Sequence, residues 1–183
     1  MEGGSDTNFD AEGPQWAFAI DLYARPAVSD ACLLLQDRLG GDVCLLLFVL
    51  FIAHEHQIGL AHSDIANLDD AVADWRREVI EPLRCVRRRL KLAPLPAPRP
   101  HTGPVRHHIQ RAEIAAEQIE LAMLARCFEQ RPPIGATLSA DAAAVLDRLA
   151  RFFSLRSGQA AAASSPEVQS ALKTLADALA QCC

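Results

Sequence analysis

Apolar positions recur along this chain at helical spacing, except at residues 43–53, where VCLLLFVLFIA gives eleven apolar residues without a break. As a helix this run would rise about 16 Å, roughly half of a bilayer's hydrocarbon thickness, so it is too short to span one. Leu outnumbers Val and Ile in it, and no breaker follows before Gly59, which favours helix over buried strand. Gly40-Gly41 ends the preceding element, and Asp42 suits the N-cap, where its carboxylate can accept from orphan N–H groups. A helix over about 42–61 is predicted. Being apolar all round, it must be covered all round, which puts it at the centre.

Six further helices are predicted around it. Pro14 opens the first, with Trp16, Ile20 and Tyr23 as its apolar stripe; the second runs over 26–39 and stops at Gly40. After a turn at Ser63 and Asp64, a fourth helix over about 68–92 has Asn67 as N-cap and a stripe of Leu68, Val72, Trp75, Val79, Leu83, Val86 and Leu90. Pro82 inside it removes a backbone hydrogen bond and predicts a kink near 78–82. Prolines at 94, 96, 98, 100 and 104 make 93–104 an extended spacer, which lets a fifth helix, over about 105–130, return. Helices over about 139–153 and 166–180 follow, joined by an Ala/Ser-rich flexible stretch at 157–165. The expected architecture is all-α: an orthogonal or irregular helical bundle over 14–131 around the central apolar helix, preceded by a disordered acidic tail at 1–13 and followed by a C-terminal helical appendage at 132–183.

Composition agrees with this picture. The chain has 183 residues, half of them hydrophobic, with few aromatics and abundant Ala and Leu, which favours packed helices over a β-sandwich. Its N-terminus is acidic where a secretory signal would be basic and then apolar, and no run reaches spanning length, so a soluble cytoplasmic protein is expected. Cys32, Cys44, Cys85 and Cys127 stand singly in predicted helices, without zinc or redox spacing, and read as core thiols; Cys182-Cys183 lacks the polybasic context of a prenylation signal.

Charge is distributed unevenly. Between residues 84 and 111 the chain holds eight basic residues and no acid, in a protein of net charge -5. A nucleic-acid or phosphate-ligand surface formed by Arg84, Arg87, Arg88, Lys91 and Arg106 is one reading, although no nucleic-acid motif accompanies it. Internal pairing is the other. Glu113, Glu117 and Glu120 form a ridge on the fifth helix, and an antiparallel return would set it against the arginines of the fourth.

Fewer signals point to chemistry. His54, Glu55, His56 and His62 lack the zinc-protease spacing; read as residues of one helix, His54 and His62 would stand about 12 Å apart, too far for one metal. With Glu113, Glu117 and Glu120, His54 and Glu55 define a candidate polar pocket near the polar end of the central helix. Asp69, Asp70 and Asp74 fit a magnesium–diphosphate site less well than an acidic first turn. Glycine-rich phosphate loops, a serine-nucleophile elbow and a supported Cys-His pair are absent, so no catalytic residue, metal or cofactor is assigned.

FAIDLY at 18–23, LQDR at 35–38 running through Gly41-Asp42-Val43 into LLLF at 45–48, and PLR at 82–84 with Arg87-Arg88 resemble a proteobacterial family of short helical proteins, the domain of unknown function 2390 family. The resemblance covers roughly residues 14–125. It implies a helical fold and carries over no activity; the family's asparagine after Asp-Val is replaced here by Cys44. The function expected is that of a non-enzymatic cytoplasmic interaction or regulatory protein with a protein partner. The alternatives are a nucleic-acid or anionic-ligand binder through 84–111, and a small-molecule binder or metal-dependent enzyme near His54, Glu55 and Glu117.

Overall fold

A computed structural model describes residues 9–92, 99–133 and 138–182 and is all-α in them. The helices are α1 (Pro14–Tyr23), α2 (Val28–Leu39), α3 (Val43–Glu55), α4 (His62–Trp75), α5 (Glu81–Lys91), α6 (Arg99–Gln130), α7 (Ala142–Arg156) and α8 (Pro166–Leu179). A π-helical turn, Arg76–Ile80, fuses α4 to α5, and a 3-10 turn, Ala160–Ser164, precedes α8. Residues 1–8 of the expected acidic tail, 93–98 of the expected spacer, 134–137 and Cys183 lie outside the described residues.

The apolar run forms α3, and every residue from Cys44 to Ala53 is buried. Its start is capped by Asp42, whose Oδ1 accepts from the Leu45 N–H at 2.7 Å. Helices α1, α6 and α7 pack against it, while α2 lies antiparallel to α8, tied by Arg38 to Glu167 at 2.6 Å and by Arg25 to the Ala178 carbonyl at 2.9 Å. Leu149 and Phe152 of α7 and Val168 and Leu175 of α8 belong to the same buried cluster as Leu45 and Ile52. At the end of α2, Gly40 takes the left-handed cap conformation, φ 65°, that ends many helices.

Several boundaries move from their predicted places. The central helix stops at Glu55 rather than near residue 61, because Gln57 turns left-handed at φ 55° and the chain folds back to bury Leu60. Gly59 then makes an isolated bridge with Leu138, and a Cβ there would lie 2.3 Å from the Ser139 carbonyl. His62 consequently opens α4, so His54 and His62 do not share a helix, and Asn67 is internal rather than an N-cap. Asp64 accepts from the Ala61 N–H at 3.0 Å and serves the helix start instead. Asp69 and Asp70 therefore sit inside α4, not in its first turn. Residues 99–104, predicted extended, are helical, with Pro104 inside α6, where it cannot donate the backbone hydrogen bond of a regular turn. The stretch expected to be flexible at 157–165 contains the 3-10 turn, and its Ala162 packs on the core.

Two predicted stripes are also corrected. Ala19 and Leu22 are the buried apolar residues of α1, while Ile20 and Tyr23 stand 50% and 36% exposed. On the fused α4–α5 helix the stripe changes face at the π turn. The Glu81 N–H bonds back five residues to the Arg76 carbonyl, and the extra residue rotates the following face by about 100°. Ile80 takes the buried place and Val86 turns out to solvent. The predicted kink is thus a π turn, placed just ahead of Pro82, which could not have donated to the Glu78 carbonyl in any case. Of the cysteines read as core thiols, Cys32 and Cys44 are buried and Cys85 is exposed.

Phe48 is 1% exposed and Leu155 63%. Phe48→Ala should cost about 3–5 kcal/mol in urea unfolding, whereas Leu155→Ala should stay within about 0.5 kcal/mol of the parent.

Candidate functional site

Helices α4, α5 and the π turn between them run antiparallel to α6. Trp75 Nε1 donates to the Ala116 carbonyl at 3.0 Å, which fixes the register along this seam. In that register the glutamate ridge faces arginines. Arg84 Nε donates to Glu113 Oε1 at 3.1 Å and its Nη2 to Glu117 Oε1 at 2.8 Å; Arg87 pairs with both oxygens of Glu113. Burial works to raise the Glu113 carboxyl, but the hydrogen bonds from Arg87 and Arg84 outweigh it and hold the group below its ordinary value. For Glu117 burial prevails over Arg84, and its carboxyl is raised.

A second cluster lies deeper, at the start of α3. The Arg76 guanidinium is 3.0 Å from Asp42 Oδ2, 2.7 Å from Asp69 Oδ1 and 3.1 Å from Glu120 Oε1. Arg156 of α7 reaches Asp69 at 3.1 Å and Asp70 at 3.0 Å. Three buried carboxylates thus share one buried and one half-exposed cation. Glu120 is fully buried and its Oε2 lacks a hydrogen-bond partner. Burial first, and then the Asp42 charge, push its carboxyl up to about 8 against the pull of Arg76.

The Cys44 thiol lies in the same place, 3.9 Å from the Glu117 carbonyl, and burial keeps it protonated. Ligand atoms of Asp42, Cys44 and Glu120 fall within 4.8 Å of one another, a spacing that could hold a metal. Arg76 already supplies the positive charge to two of these three groups, and a divalent ion beside it would meet strong repulsion.

Between α1, α2, α3, α5 and α6 a cavity of about 420 Å³ opens to solvent. Leu47, Ala19 and Leu121 lie at its buried side, Ile20, Tyr23, Leu33 and Ile114 at its exposed side, and Arg84, Arg87, Arg88, Glu113 and Glu117 along one wall.

The residues singled out from the sequence are divided by the fold. Arg84 and Arg87 are matched to the glutamates, Arg88 and Lys91 are exposed, and Arg106 is half-buried with an unbonded Nε. Glu113, Glu117 and Glu120 come together at the Asp42 end of α3. His54 and Glu55 do not join them, since they sit at the other end of α3, about 15 Å from Cys44 by helical rise. There His54 stacks on Phe18, and His56 meets Phe51 and Phe128. Arg76, Asp69 and Arg156 were not singled out as a cluster. Asp69 and Arg76 lie two turns apart on the face that also carries Val72, and charges at core spacing are the one sequence signal of it.

Arg76→Met should cost about 3–5 kcal/mol by denaturant unfolding, because it strands buried carboxylates. A raised folded-state pKa at Glu120 means that the folded state holds a proton the unfolded state releases above about 4.5. Its contribution to stability therefore falls as pH rises from about 4.5 to about 8. Glu120→Gln should remove that slope: relative to the parent it should gain about 3 kcal/mol between pH 5.5 and pH 8.5.

No curated protein and no solved structure matches the chain. Among the described residues no helix is long and apolar enough to cross a membrane. Residues 14–124, which contain α1 through most of α6 and hence both arginine clusters' carboxylate partners from Asp42 to Glu120, match the family described as Protein of unknown function (DUF2390), and the chain belongs to that family.

Proposed function

We propose that the protein is a non-enzymatic interaction or regulatory protein that docks an acidic protein partner through the outer part of the α5–α6 hairpin. The observation that carries this reading is the charge left over after internal pairing. Arg84 and Arg87 are neutralised by the ridge, but Arg88, Lys91 and Arg111 remain exposed, and no carboxylate among the described residues is paired with Arg88 or Lys91. No acid occurs between residues 82 and 112. Val86, Leu92 and Val105 are exposed on the same hairpin, which supplies the apolar contacts that a protein partner uses and a phosphate backbone does not. Residues 76–127 contain no Phe, Tyr or Trp, so the large ring platforms for base stacking are absent there.

Charge reversal tests this. In affinity capture followed by identification of bound proteins, the parent should retain an acidic partner, and Lys91→Glu/Arg111→Glu should weaken that binding about tenfold or more while circular dichroism stays unchanged. Capture indifferent to both reversals would refute the proposal. Gel-shift binding of duplex DNA that falls steeply with salt would replace it with the nucleic-acid reading.

A further inference from the structure

The cavity beside the arginine wall shares Arg88 with that partner surface but has features of its own. Its volume, about 420 Å³, lies within the range of small-ligand sites, roughly 300–1,000 Å³. Scattered exposed hydrophobics are ordinary on a protein surface; grouped ones are not. Ile20, Tyr23, Leu33 and Ile114 come from three helices and are 36% to 50% exposed, and all four line this one cavity. Behind them the lining is buried and apolar.

The mouth is not uniformly apolar. A second, shallower hollow of about 520 Å³ shares Gln36, Arg84 and Arg88 with the first and continues over Glu81 and Arg89. The charged wall of the first cavity is positively biased. Arg84, Arg87 and Arg88 line it with Glu113 and Glu117, three cations to two anions, and among the described residues Arg88 is the one of the three without a carboxylate. Tyr23 and Gln110 add hydrogen-bond donors near the opening.

We infer that this cavity is a binding site for a single-chain amphiphile, with its aliphatic chain in the apolar cavity and its anionic head on Arg88 at the junction with the shallow hollow. The apolar interior selects the chain, because burying a methylene is worth about 0.8 kcal/mol wherever it occurs, without regard to sequence or shape of a partner. Head-group sign follows from the surplus cation. A cationic head would meet three guanidiniums and find both carboxylates already engaged. Carboxylate and phosphate heads share the chemistry that Arg88 would recognise.

The site can be probed on the full-length protein with sodium dodecanoate below its micellar concentration, using calorimetry and the fluorescence of Trp16, which lines the cavity. Dodecanoate should bind one-to-one and change the Trp16 signal, with dodecanol and dodecyltrimethylammonium at least tenfold weaker. Arg88→Glu should weaken dodecanoate about tenfold and leave dodecanol unchanged; Ile114→Trp, which narrows the mouth, should weaken both. Both positions are exposed, so the fold should tolerate the changes. Dodecyl phosphate binding more tightly than dodecanoate would support the site and assign a phosphate head. Lys91→Glu/Arg111→Glu should leave dodecanoate binding intact, which separates this site from the partner surface. The inference is overturned by an absence of dodecanoate binding up to its solubility limit, by equal binding of the cationic amphiphile, or by binding that survives both Arg88→Glu and Ile114→Trp.

Discussion

A helix with no polar face can exist in water only if other elements enclose it, and α3 is such a helix. That requirement recruits α1, α6 and α7 to its sides. It also fixes where charge can enter the core. Asp42 caps α3 with one carboxylate oxygen and receives Arg76 with the other, so the start of the central helix is tied to the α4–α5 helix at one residue. Glu120 and Asp69 converge on the same guanidinium, and four elements meet there. Such a cluster is costly to bury and tolerable only while every charge is matched.

The π turn connects this core to the outer surface. Upstream of it, α4 presents Leu68, Asp69 and Val72 inward; downstream, the face is rotated, and Arg84 and Arg87 meet α6 while Arg88 and Lys91 stay in solvent. A regular helix would have kept the Leu68-to-Leu90 stripe on one face. The irregular turn spends one backbone residue to place Arg76 inside and a basic edge outside.

The same rotation shapes the cavity. With α5 turned so that its arginines take one wall, the apolar residues of α1 and α2 opposite them are left without a covering helix. Ile20, Tyr23 and Leu33 stand exposed there, the first two on the stripe that periodicity alone would bury. Binding surfaces on this fold thus arise where the cover over α3 is incomplete, and they inherit charge from the helix that forms the seam.

Much of the architecture was legible in local chemistry. The apolar run, the Asp42 cap and the Gly40 stop each follow from short-range rules of burial and capping, and all-α packing follows from the helical spacing of apolar positions. Pairing between the glutamate ridge and the fourth-helix arginines was also readable, because two charged helical faces of opposite sign need only an antiparallel return to meet. Helix ends at residues 55 and 99, the π turn, the Arg76 cluster and the exposed face of α1 were not. Each depends on which distant residue lies opposite: Leu138 across from Gly59, Glu120 across from Arg76, Arg156 across from Asp69. Periodicity states that a face is apolar or charged; only the packed neighbours decide whether that face is covered, matched or left open.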